Sequence, residues 1–192
     1  MTLTARKAEG LAYFLAFIAC IPTANWMMGH VGTVCVPAGP CLLPVFPWGP
    51  GGHPLMAPSG VAMVGLALVL RDLVQRRLGR LAASLAIAAG AALSGAVAPP
   101  ALVMASTAAF FLSEFADFLV YTPLQKDGLV LAVLASSVVG LVVDSLLFLY
   151  LAFGSLQFLL GQIVGKAWMV LLAIPFARWL RRRDERLGLL PA

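Results

Sequence analysis

The feature that most constrains this chain is the length of its apolar runs. Several stretches reach the ~20 residues that an α-helix needs to cross a ~30 Å hydrocarbon core, and the longest carry almost no charge. A soluble domain of 192 residues has no interior large enough to hide them all. With 61% hydrophobic and 11% charged residues, far below the roughly 25% charged of an ordinary soluble domain, the chain reads as an all-α integral membrane protein.

Six spans are expected, forming one transmembrane domain over residues 1–192: about Ala8–Met28, Ser59–Leu78, Leu81–Ala98, Pro100–Tyr121, Gly128–Phe153 and Ser155–Leu180. Pro99 and Pro100 punctuate the third, since proline cannot continue the preceding helix. Charge then orients the bundle. Arg6 and Lys7 precede the first span, Arg76, Arg77 and Arg80 join the second and third, Lys126 joins the fourth and fifth, and Arg178 to Arg186 follow the sixth. The alternate loops contain no Lys or Arg, so the positive-inside rule puts both termini in the cytoplasm. The same rule makes "RRLGR" and "RWLRRRDER" topology signals rather than nucleic-acid patches, and no nucleic-acid partner is expected. The basic start and apolar run resemble a secretory signal, but the segment is expected to be kept as a helix.

The outer loop, 29–58, holds more than half of the prolines and both histidines. Its Pro and Gly content excludes a long helix but allows an ordered, re-entrant cap over the bundle mouth, with Phe46 and Trp48 as interfacial anchors. Cys35 and Cys41 fall outside, where oxidation is permitted, so a disulfide and two free thiols are both open. Cys20 reads as a small packing residue. In the third span Ala86, Gly90 and Ser94 repeat at four-residue spacing, which brings helix backbones close together.

Ionisable side chains at bilayer depth are expensive, at ~2.5–3.5 kcal/mol or more each, and normally face the bundle interior or a cavity. This chain keeps Arg71, Asp72, Glu114, Asp117, Asp144 and Lys166 within its spans, joined by Asn25 and Gln162. At ~1.5 Å per residue, Arg71 and Lys166 lie roughly 17 Å from the outer ends and Glu114 roughly 21 Å. Asp144, Asn25 and Gln162 fall in the outer third. Spacing adds direction: Glu114 and Asp117, Gln162 and Lys166, and Ser137, Gly140 and Asp144 each share one side of a helix. Arg71–Glu114 and Lys166–Asp144 could be structural pairs that fix packing. Four acids nevertheless face two bases, which points to a hydrated cavity in two tiers.

Four segments carry a family resemblance: "LVLRDLVQRRLG" (Leu68–Gly79), "SEFADFLVYTPL" (Ser113–Leu124), "VDSLLFLYLAFGSLQF" (Val143–Phe158) and "GQIVGKAWM" (Gly161–Met169). Together they are similar to signatures of the VUT family of vitamin-uptake-type transporters, known chiefly as queuosine precursor transporters. The resemblance implies a bundle like the substrate-binding subunits of energy-coupling-factor vitamin transporters, in a bacterial inner membrane. It also implies a purine-like cargo such as 7-cyano-7-deazaguanine or its aminomethyl analogue, and no cofactor. On that reading the substrate-binding candidates are Asn25, Arg71, Glu114, Asp117, Asp144, Gln162 and Lys166. Glu114 or Asp144 would accept the guanine-like edge, Lys166 and Gln162 would donate, and Arg71 with Asp117 would form an inner tier. Trp26, Phe110, Phe111 and Trp168 are the aromatic candidates for stacking on the ring.

Other classes fit less well. A binding subunit of an ATPase-driven coupling complex would dock through Ala8, Ala12 and Ala16, and a homodimer is a further open assembly. A membrane thiol oxidoreductase would use Cys35 and Cys41, but the C-x-x-C spacing is missing. His30 and His53 supply no convincing metal set, and "GPGG" (Gly49–Gly52) lacks the Lys-Ser/Thr of a phosphate loop.

Overall fold

The computed structural model describes residues 3–35 and 40–189. Six long helices run up and down in sequence order: α1 (Leu3–His30), α2 (Val61–Leu78), α3 (Arg80–Val97), α4 (Val103–Leu124), α5 (Leu129–Phe153) and α6 (Leu159–Arg186). Five of them are long and apolar enough to cross a membrane; α2, with 18 residues and its Arg71, Asp72, Arg76 and Arg77, is the one outside that set. The bundle is inside-out relative to a water-soluble protein. Leu15, Leu81, Met104, Leu131, Leu172 and Trp179 face outward, while Arg71, Asp72, Asp117 and Lys166 are at most 1% exposed. That distribution suits a multi-pass membrane protein, because lipid rewards the exposed apolar faces and expels the charges.

Helix ends differ from the expected boundaries in physically simple ways. Pro100–Leu102 forms a short 3-10 turn, so α4 begins later than the apolar run does. At the other end of that helix Pro123 is accommodated in the last turn. The sixth helix starts at Leu159 rather than Ser155, because Gly154 takes the left-handed conformation (φ 59°) and ends α5. It then continues through the basic tail to Arg186, six residues past the apolar stretch.

The described part of the 29–58 segment is ordered and contains no long helix, as the sequence allowed, and it is built from strands. Three antiparallel strands, β1 (Val34–Cys35), β2 (Cys41–Phe46) and β3 (Leu55–Pro58), close the mouth between α1 and α2. Proline is tolerated because the sheet is small and bulged between Pro44 and Phe46. Cys35 and Cys41 are directly paired across β1 and β2 and form a disulfide. Ser59 Oγ donates to Met27 O (2.7 Å) and Trp168 Nε1 donates to Val45 O (3.0 Å), tying the sheet to α1 and α6. Gly161 of α6 touches β3 so closely that a side chain there would strike the Met56 carbonyl.

Packing follows the small residues. α4 lies along α5, α1 along α2, and α2 against α6. The expected small-residue face of α3 is realised, with Ala86, Gly90 and Ser94 all buried. One apolar cluster joins α2, α4, α5 and α6 around Leu68, Tyr121, Leu141 and Leu180; a second joins α1 to α4 around Phe17, Val74, Ala86 and Phe110.

Candidate functional site

Polar side chains occupy three levels of the bundle, named here from the sheet downward. The uppermost is organised by Lys166, which α6 can present only because Gly65 lets α2 approach to backbone contact: a Cβ there would lie 2.5 Å from the Lys166 carbonyl oxygen. The Lys166 ammonium is 1% exposed and donates to Asp144 Oδ2 (2.6 Å), Ser145 Oγ (2.8 Å) and Gln162 Oε1 (2.5 Å). An ammonium has three donors, so this one is saturated by α5 and by its own helix. Ser113 Oγ approaches Asp144 Oδ1 from α4 at 3.5 Å.

Beside this level lies a half-enclosed cleft lined by all six helices, with Pro58 of β3 at its edge. Its atom-free space is about 600 Å³ with the mouth included, of which about 70 Å³ can take the centre of a water molecule. That is room for several waters or for one small flat solute in their place. Asn25, Asp144, Gln162 and Lys166 supply polar lining; Phe110 and Phe148 supply ring faces. Asn25 donates through Nδ2 to Ile21 O (3.0 Å), while its buried Oδ1 has no partner.

The middle level belongs to Arg71, which is fully buried. Its guanidinium meets three carboxylates: Nη2 contacts Asp117 Oδ1 and lies 2.7 Å from Asp72 Oδ1, while Nε reaches Glu114 Oε2 only at 3.4 Å. Nη1 donates to Gln75 Oε1 (3.2 Å), and the Phe118 and Tyr121 rings flank the guanidinium. Ser136 Oγ donates to Asp72 Oδ2 at 3.0 Å. Asp117 Oδ2 and the Tyr121 hydroxyl are buried without partners.

The lowest level is an ion-pair clamp at the end opposite the sheet. Asp184 of α6 receives Arg76 Nε (2.8 Å) and both terminal nitrogens of Arg77 (2.9 Å each) from α2. Glu9 of α1 receives Arg183 (2.6 Å), Arg77 (3.2 Å) and the Tyr13 hydroxyl (2.6 Å). Asp184, Arg76 and Arg77 are at most 5% exposed.

The seven sequence candidates therefore divide. Asn25, Asp144, Gln162 and Lys166 converge on the cleft; Arg71, Glu114 and Asp117 are brought together beneath it and do not line it. Both expected structural pairs, Arg71–Glu114 and Lys166–Asp144, are formed, and the cleft lies beside the second of them. Among the aromatic candidates Phe110 lines the cleft. Trp26 stacks on His30, Phe111 faces outward at 42% exposure, and Trp168 is taken up by the sheet. Sequence reasoning missed Phe148, one turn beyond Asp144 on α5, although that i,i+4 spacing was readable. It also missed Asp184, whose acid in a run of arginines was the available signal. Ala8, Ala12 and Ala16 lie exposed on α1.

Residues 94–180 match the family model described as "Putative vitamin uptake transporter". The match runs from the end of α3 through α6 and so includes Glu114, Asp117, Asp144, Gln162 and Lys166. It bears out the family resemblance and takes in three of the four segments, while Leu68–Gly79 lies outside it. No protein of curated function and no solved structure matches the chain.

Proposed function

We propose that this chain, a VUT-family protein by its residues 94–180, imports a queuosine precursor such as 7-cyano-7-deazaguanine, its aminomethyl analogue or a related deazapurine. The observation that carries the reading is the cleft lined by a carboxylate, an ammonium, two carboxamides and two phenyl rings. A guanine-like edge offers an N–H and an amino group side by side, and Asp144 can accept both in parallel. Charge-assisted bonds of that kind are roughly twice as strong as neutral ones. Lys166 and Gln162 would donate to the carbonyl and ring nitrogen, the free Asn25 Oδ1 would accept, and Phe110 and Phe148 would flank the ring.

Lys166 is already saturated without cargo, so binding proceeds by exchange. A cargo carbonyl replaces one of the three acceptors, and the displaced group turns to another edge of the same solute. Such a site discriminates strongly, because a solute lacking one donor leaves a buried polar group unpaired at about 1–3 kcal/mol. The proposed setting is a bacterial inner membrane with six spans, both termini cytoplasmic and the disulfide-bonded sheet outside. The Lys/Arg bias at the end opposite the sheet supports that orientation.

Thermal unfolding of the purified protein against a panel of deazapurines, purines and vitamins tests the assignment. A ligand at one hundred times its Kd adds about 2.7 kcal/mol of stability. A deazaguanine is expected to raise Tm, and Asp144→Asn and Lys166→Ala are expected to abolish the rise. A rise for vitamins alone would overturn the cargo, and a deazaguanine rise that survives both substitutions would overturn the site.

A further inference from the structure

The three polar levels do not balance electrically. In the upper level Lys166 balances Asp144. In the lowest, Arg76, Arg77 and Arg183 outnumber Glu9 and Asp184, and Arg6 adds a further cation against the Arg76 carbonyl. All the excess negative charge resides in the middle level, where one guanidinium meets three carboxylates. An unbalanced ionised carboxylate in a dry interior costs several kcal/mol after relaxation, so protonating an acid of this level relieves part of the excess.

The geometry selects which one. Arg71 Nη2 donates to Asp117 and lies 2.7 Å from Asp72 Oδ1, and Ser136 donates to Asp72 Oδ2. Glu114 has only the 3.4 Å contact to Nε. Its neighbour in sequence, Ser113, reaches Asp144, which lines the cleft. The unpartnered Asp117 Oδ2 and Tyr121 hydroxyl, both in fully buried residues, show that the level has polar capacity its own side chains leave unused.

We propose that Glu114 is a proton-binding site, holding one exchangeable proton that is taken up from the cleft and reduces the buried negative charge. The facing groups are Arg71, Asp72 and Gln75 from α2, Asp117 and Tyr121 from α4 itself, Ser136 and Asp144 from α5, Lys166 from α6 and Cys20 from α1. The packed face of α3 offers hydroxyls but nothing titratable above Arg80. Cargo that engages Asp144 and Lys166 rearranges the charges beside Glu114. Proton occupancy and cargo occupancy are then linked, and a transmembrane proton gradient can drive accumulation. That last step rests on the importer reading above; the proton site itself does not.

Infrared difference spectra of the full-length protein in nanodiscs, taken without cargo across a pH titration, test the site directly. A protonated carboxylic acid has a carbonyl stretch that an ionised one lacks. The wild type should show this band at neutral pH and lose it on alkalinisation, and Glu114→Gln should lack it. Stability provides the second readout. Glu114→Gln mimics the protonated acid and should keep the wild-type Tm at neutral pH, whereas Asp117→Asn removes the principal partner of Arg71 and should lower it. No protonated-acid band in the wild type, a band that persists in Glu114→Gln, or a band that appears only when sodium is replaced by a bulky cation would each overturn the proposal. In proteoliposomes, uptake of 7-cyano-7-deazaguanine should respond to an inside-alkaline gradient in the wild type and not in Glu114→Gln. If that compound does not enter at all while the infrared result holds, the cargo assignment fails and the proton site stands.

Discussion

Lys166→Met separates the electrostatic role of the upper level from its packing role. Methionine keeps most of the apolar stem, so little volume is lost; what disappears is the ammonium and its three hydrogen bonds to Asp144, Ser145 and Gln162. Ser145 retains its bond to Leu141 O (2.6 Å), so the loss concentrates on Asp144. That carboxylate is 7% exposed and would keep only the 3.5 Å contact from Ser113. Removing one partner of a buried ion pair costs about 3–5 kcal/mol. For a domain of this size each kcal/mol shifts Tm by about 2–4 °C, so the expected drop is roughly 6–20 °C. The assay is thermal unfolding of the purified protein in one detergent, run with Asp144→Asn and with the double variant. The double variant should recover most of the loss, because a neutral amide opposite methionine leaves no buried charge. A Lys166→Met protein that melts within a degree or two of the wild type would refute the reasoning, since Asp144 would then be neutralised some other way.

Three further outcomes are expected. Asp184→Asn strands Arg76, leaves Arg77 with Glu9 alone and should cost about 3–5 kcal/mol, whereas Glu185→Gln, which breaks the exposed Arg181–Glu185 pair, should change thermal unfolding by less than about 0.5 kcal/mol. Gly65→Ala places a methyl group against the Lys166 backbone and should lower stability by about 1–3 kcal/mol in the same melt; the spread of α2 from α6 should also weaken deazaguanine-dependent stabilisation. Reducing the Cys35–Cys41 bond opens a short loop, six residues apart in sequence, worth about 2 kcal/mol. The loosening should appear as faster proteolysis of the sheet with the bundle still intact.

Much of this architecture was legible because lipid makes burial of charge so selective. The 3- and 4-residue spacings of Gln162 with Lys166 and of Glu114 with Asp117 located the inward faces, and helical rise alone separated two of the three levels. Pairing across helices was harder to read. Asp117 rather than Glu114 became the closer partner of Arg71, because i,i+3 neighbours differ in reach by angles that spacing does not fix. The sheet was invisible for a different reason. Its strands are two to six residues long and rich in proline, so neither alternation nor propensity marks them. The lowest level was hidden by the very rule that oriented the bundle: Arg76, Arg77 and Arg183 count as topology signals in sequence, yet they spend their charge on Glu9 and Asp184.

The sixth helix makes three attachments along its length: Gly161 against the sheet, Lys166 in the cleft, and Asp184 in the clamp. Pro175 falls between the second and the third and removes one rung of the helical ladder there. The helix is therefore one hydrogen bond short between its binding chemistry and its ion-pair anchor, and on the importer reading that joint is where α6 would bend.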